Sequence, residues 1–107
     1  DIGASADAII KRCDELDLKL QNPKAEVVYD VLAGRQGGAK LYSQIAPLYS
    51  DIQTSDYAPT QGQSSELEAD LVEKAALEGE IAALRKGELA KLEEQLRAAN
   101  LPHVIVP

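Results

Sequence analysis

The stretch from Thr60 to Asn100 constrains this chain more than any other, because no proline falls between Pro59 and Pro102. It reads TQGQSSELEADLVEKAALEGEIAALRKGELAKLEEQLRAAN. Leu67, Leu71, Ala75, Ile81, Leu84, Leu92, Leu96 and Ala99 recur mostly at three- and four-residue steps or their sums, the spacing of one helical face. The other positions are rich in Glu, Lys, Ala, Arg and Gln, which lose little side-chain entropy in a helix. A helix of about 38 residues would span ~57 Å. A compact domain of this length has a radius of gyration of only ~13 Å. Such a helix must therefore bend, project, or dock on something outside this chain.

Its ends carry their own signals. Thr60 with Gln63, or Ser65 with Glu68, suits a capping box. Asn100 before Leu101-Pro102 suits a left-handed stop. Six acids and one base lie between Glu66 and Glu80, and three acids and four bases between Ile81 and Arg97, an order that complements the helix dipole. Asp70–Lys74 and Glu93–Arg97 are expected as acid-first ion pairs. Gly79 and Gly87 each cost about 1 kcal/mol against alanine. Simple tolerance of the two is expected, with close approach of another backbone as the alternative.

Upstream, Ile9, Cys13, Leu16 and Leu20 form a seam that predicts a helix over 5–21, capped by Ser5 and ended by Asn22-Pro23. Leu41, Ile45, Leu48 and Ile52, extended by Tyr42 and Tyr49, predict a helix over 39–54. Pro47 should kink or divide it. Residues 24–38 are the least determined: a short helix within 24–34 or an irregular crossover is expected, although Val27-Val28-Tyr29 also suits an extended run. The expected fold class is all-α: an antiparallel bundle of three main helices, with room for a short fourth, organised on the long one as a single domain over 1–107.

Composition bounds the function. Phe, Trp and Met are absent, so the core must be aliphatic with four tyrosines at most. A net charge of −7 argues against nucleic acid and anionic membranes as partners. No apolar run is long enough to cross a bilayer. The missing initiator Met suggests a piece of a longer protein or a mature product.

No catalytic set emerges, and the chain is not expected to be an enzyme or to hold a cofactor. Cys13 lacks a nearby base, since the one histidine is His103, and a small buried hydrophobe is expected there. His103 alone makes no metal site. Asp51, Asp56 and the acidic start of the long helix lack calcium-loop spacing. The run from Gly34 to Lys40 resembles a phosphate loop in composition but not in spacing, which leaves a turn. Tyr42, Tyr49 and Tyr57 suit a sugar-binding surface or, more simply, the edge of a bundle without Phe and Trp. Val104, Ile105 and Val106 are β-prone, apolar and expected to lie along a neighbouring surface.

Two stretches look familiar: GGAKLYSQIAPLYSDIQTSDYAPTQGQ (Gly37 to Gln63) and LAKLEEQLRAANLPHVIVP (Leu89 to Pro107). Together, Leu41-Tyr42-Ser43, Leu48-Tyr49, Asp56, Ala58-Pro59-Thr60-Gln61-Gly62, Asn100-Leu101-Pro102 and the Val104-Ile105-Val106-Pro107 ending resemble the C-terminal helical region of bacterial secreted BNR or Asp-box β-propeller proteins, sialidase-like and sortilin-like "glycosyl hydrolases". The long helix of that family often carries a tryptophan, which is absent here. The Asp-box repeats are absent too, so no glycosidase residue carries over. The resemblance implies a secreted or periplasmic, non-catalytic accessory domain. Its partner would be a β-propeller of the same parent protein. Self-association through the long helix, or a small sugar- or calcium-binding bundle, are the alternatives. Tyr42, Tyr49, Tyr57, Val104, Ile105 and Val106 are the candidate interaction surface.

Overall fold

In a computed structural model, which describes residues 1–25 and 37–107, every regular element among the described residues is helical. Helix α1 spans Ile2–Leu20, α2 Leu41–Thr54, α3 Gln61–Leu84 and α4 Ala90–Ala98. A π-helical turn, Arg85–Leu89, joins α3 to α4, so the chain coils without a break from Gln61 to Ala98. The expected all-α bundle on one long helix is what the chain builds. Of the undetermined residues 24–38, those from 26 to 36 lie outside the described residues.

Helix boundaries follow their caps. Helix α1 starts at Ile2, not at Ser5, because the Asp1 carboxylate accepts from the Ala4 N–H at 3.2 Å. It ends at Gln21, whose backbone turns extended before Asn22-Pro23. Helix α2 starts at Leu41 without a side-chain cap and runs through Pro47, so the expected division there does not occur. At Thr60, the expected capping box forms in full. The Gln63 N–H donates to the threonine hydroxyl at 3.1 Å, and the Thr60 N–H donates to the Gln63 side-chain oxygen at 2.9 Å. At the far end Asn100 takes φ 57°. The Leu101 N–H then reaches the Leu96 carbonyl and the Asn100 N–H the Arg97 carbonyl, the paired bonds of a Schellman stop.

Asn22 ties the end of α1 to the start of α2. Its side-chain amide donates to the Gly38 carbonyl at 2.9 Å, while its Oδ1 accepts from the Lys24 N–H at 3.0 Å. Gly37 and Gly38 both have positive φ, and a Cβ on Gly37 would crowd the Asn22 amide at 3.3 Å. Gly37 thus serves a tight backbone approach, and Gly34 to Gln36, the start of the glycine-rich run, lie outside the described residues.

Helix α1 lies antiparallel to the long helix. Its Lys19 end meets Glu80 and Glu73, and Arg12 sits by Glu80, Leu84 and Gly87. It packs on both α3 and α4 and so straddles the π turn, while α2 packs on α3.

The seam of α3 is not the one its apolar residues suggested. Leu67, Leu71, Ala75 and Ile81 are exposed, whereas Asp70 is buried and Leu77 and Leu84 half-buried. Gln63, Asp70, Leu77 and Leu84 stand at seven-residue steps, the repeat of a helix held against neighbours. The next step would place Lys91 inward. One residue accommodated in the π turn brings Leu92 there instead, eight residues on and buried. The π turn therefore re-phases one helix so that two differently spaced apolar faces meet the same α1.

The assembly is long and thin, 58 × 28 × 19 Å, with a radius of gyration of 18.6 Å against ~13 Å for a compact chain of this length. Its accessible surface is 8007 Å², whereas a compact monomer of 11.5 kDa exposes about 5,800 Å². Among the described residues only Leu16, Leu41 and Leu92 are fully buried hydrophobes.

Candidate interaction groove

Where α1, α2 and α3 converge, their apolar faces do not close on one another. A groove of about 460 Å³ remains, with Leu20 of α1 at one side, Leu41, Tyr42, Ile45 and Tyr49 of α2 at the other, and Leu77 and Ile81 along its floor. It continues along α1 and α3 into a hollow of about 270 Å³ bounded by Cys13, Leu16, Leu77, Ile81 and Leu84. Lys74 and Glu78 sit at the rim, paired with each other at 2.6 Å. Lys74 therefore turns away from Asp70, the partner expected for it.

Two of the three sequence-selected tyrosines reach this groove. Tyr42 and Tyr49 lie seven residues apart on α2, which places both on one face. They are 62% and 65% exposed, so each presents a ring to solvent at the edge of an apolar trough. Tyr57, 85% exposed, stands in the turn between α2 and α3 and does not line it. Val104, Ile105 and Val106 lie in the segment after α4, and none of them lines it either.

Cys13 is exposed and borders the groove, contrary to its expected burial. The inward face of α1 runs Ile9, Arg12, Leu16, not Ile9, Cys13, Leu16. Arg12 takes the inward place because it meets an acid there. Its guanidinium lies 3.1 Å from Glu15 and 3.3 Å from Glu80, and Lys19 grips the same Glu80 carboxylate at 2.7 and 2.9 Å. The hydrogen bonds from Lys19 hold the Glu80 carboxyl below its ordinary value of 4.5, with Arg12 adding to the effect and partial desolvation opposing it. Arg12 in turn is held above its usual range, chiefly by its hydrogen bond to Glu15. This cluster pins α1 to α3 on the side away from the groove, and the sequence reading missed it. Arg12, Lys19 and Glu80 were legible only as solvated charges on separate helices.

The chain matches no protein-family model, no curated protein and no solved structure. Its chemistry must be argued from the groove itself. Among the described residues no group of three or more His, Cys, Asp or Glu stands close enough to hold an ion. His103 is exposed in the segment after α4. No helix among the described residues is long and apolar enough to cross a membrane. What the groove presents is aliphatic and aromatic surface with a charged rim.

Proposed function

We propose that this chain is a non-catalytic helical interaction module that docks its groove on a larger body. The resemblance of Gly37–Gln63 and Leu89–Pro107 to the helical end of exported β-propeller proteins makes a propeller of the same parent the expected body. One observation carries the docking itself. Leucine, isoleucine and two tyrosines line an open trough on a chain that exposes about 2,200 Å² more than a compact monomer of its mass. A standard interface covers about 800 Å² per partner, so the excess is ample for one. Aromatic residues beside an aliphatic floor are the usual anchors of such contacts.

Self-association through the uncovered face of the long helix is the second reading, favoured by the exposed Leu67, Leu71 and Val72 of α3. It is opposed by charge, since each copy carries −7 and like-charged molecules repel at low salt. Sedimentation over a wide concentration range separates the two, with a monomer at all concentrations expected.

Tyrosine nitration tests the docking. In the isolated chain Tyr42, Tyr49 and Tyr57 should all react. In the longer protein Tyr42 and Tyr49 should be protected at least several-fold while Tyr57 stays reactive. Equal labelling of all three in both forms would remove the groove as a docking site.

A further inference from the structure

The segment after α4 leaves its backbone unused. Among the described residues, the N–H and C=O groups of 102–107 make no protein hydrogen bond. The Schellman turn at Asn100 has already closed the helix, so these groups cannot be taken up by it. The side chains left with them are His103, Val104, Ile105 and Val106, bracketed by Pro102 and Pro107. Three consecutive β-branched residues favour extended backbone. Neither proline can donate to a ladder, so the donors of the segment are those of His103 to Val106. Exposure alternates in the period of a strand: Val104 37%, Ile105 82%, Val106 43%. No side chain from Ala98 to Pro107 carries a fixed charge.

We infer that His103–Val106 binds as an added β-strand on the open edge of a sheet in a partner domain. A partner domain that brings the sheet is the occupant inferred. The described residues of this chain contain no strand, an isolated two-stranded pairing between two copies would be marginal in water, and cross-links to residues 26–36 of the same chain would overturn the inference. Addition to an existing edge escapes that limit, because the ladder it extends is already ordered. Main-chain bonds would then fix the segment, and the Val104/Val106 face would fill apolar positions on one side of the sheet. The residues involved are none of those lining the groove, so this inference stands or falls separately from the docking of Tyr42 and Tyr49.

Photo-cross-linking in the cells that make the protein tests it, with p-benzoylphenylalanine placed at Val106 of the full-length protein. The links, mapped by mass spectrometry, should fall on residues of an edge strand. Val104→Pro and Ile105→Pro each delete one N–H, and alternate donors point to opposite sides of a strand. At least one of the two should therefore lower the yield about ten-fold or more, the scale of one lost ladder bond with its orphaned acceptor. Val104→Thr and Ile105→Thr keep the backbone donor and should stay within about two-fold. Both prolines lie outside the helices, so far-ultraviolet circular dichroism should not change. Links to a helical surface, to a second copy of this chain, or no more than a control placed at Tyr57 would overturn the inference. So would threonine variants that lose as much as the prolines.

Discussion

Asp70 is the residue most at odds with its surroundings. It is 2% exposed, and its Oδ2 has no hydrogen-bond partner. A buried oxygen left without a donor costs about 1–3 kcal/mol. Asp70→Leu should therefore raise stability by about 1–3 kcal/mol in urea unfolding, and a loss would mean the carboxylate has a donor in solution. Glu80 makes the opposite case, with two cations on one carboxylate. Its folded-state value lies below its ordinary one, so its contribution is present above pH 4.5 and is lost as the pH falls through the lower folded value. Thermal melts between pH 7 and pH 3 should fall more steeply below about 4.5 for the native chain than for Glu80→Gln. Neither role was legible in the sequence. Asp70 and Glu80 share a helix with many other acids, and only the register of α1 and α3 decides which is smothered and which is paired. The same ambiguity displaced Cys13. Steps through Cys13 and through Arg12 both obey three- and four-residue spacing, and the acid waiting on α3 selects the second.

At the scale of elements, legibility depended on local chemistry. The Thr60–Gln63 box and the Asn100 stop were readable because both partners of each bond lie within a turn of sequence. The π turn was not, because nothing local demands it; it is required only when α1 must meet both Leu84 and Leu92. That origin has a consequence. Deleting Gly87 would remove the extra residue and leave Leu84 and Leu92 seven positions apart, so an unbroken α-helix would keep both facing α1. A Cβ at Gly87 would meet nothing within 4 Å, so no neighbour depends on this glycine's bareness. The deletion variant should fold, keep its helicity and gain about 1 kcal/mol, the usual cost of a helical glycine. Deletion of Ala83 from the regular helix should instead rotate everything beyond it and lower stability. If the Gly87 deletion unfolds the chain, the π turn does more than set phase. Pro47 does not divide α2, which continues through it with the proline on an exposed face.

For the whole molecule, the comparison of helix length with chain size was the most useful information in the sequence, and it carries a quantitative consequence. An unfolded chain of 11.5 kDa exposes about 16,700 Å², so this one hides about 8,700 Å² on folding, whereas a compact equivalent would hide about 10,900 Å². Denaturant sensitivity scales with the surface exposed on unfolding. The isolated chain should therefore unfold in urea with an m-value about a fifth below that of a compact domain of equal length. Its midpoint should also be low, because among the described residues only three leucines are fully buried, and a charge of −7 adds self-repulsion. On the proposed docking, a partner body that covers the groove adds buried surface, and the transition should sharpen and move to higher urea. An isolated chain with a full-size m-value would mean that the extended shape closes up in solution. In that case the open groove, and the docking built on it, would have to be given up together.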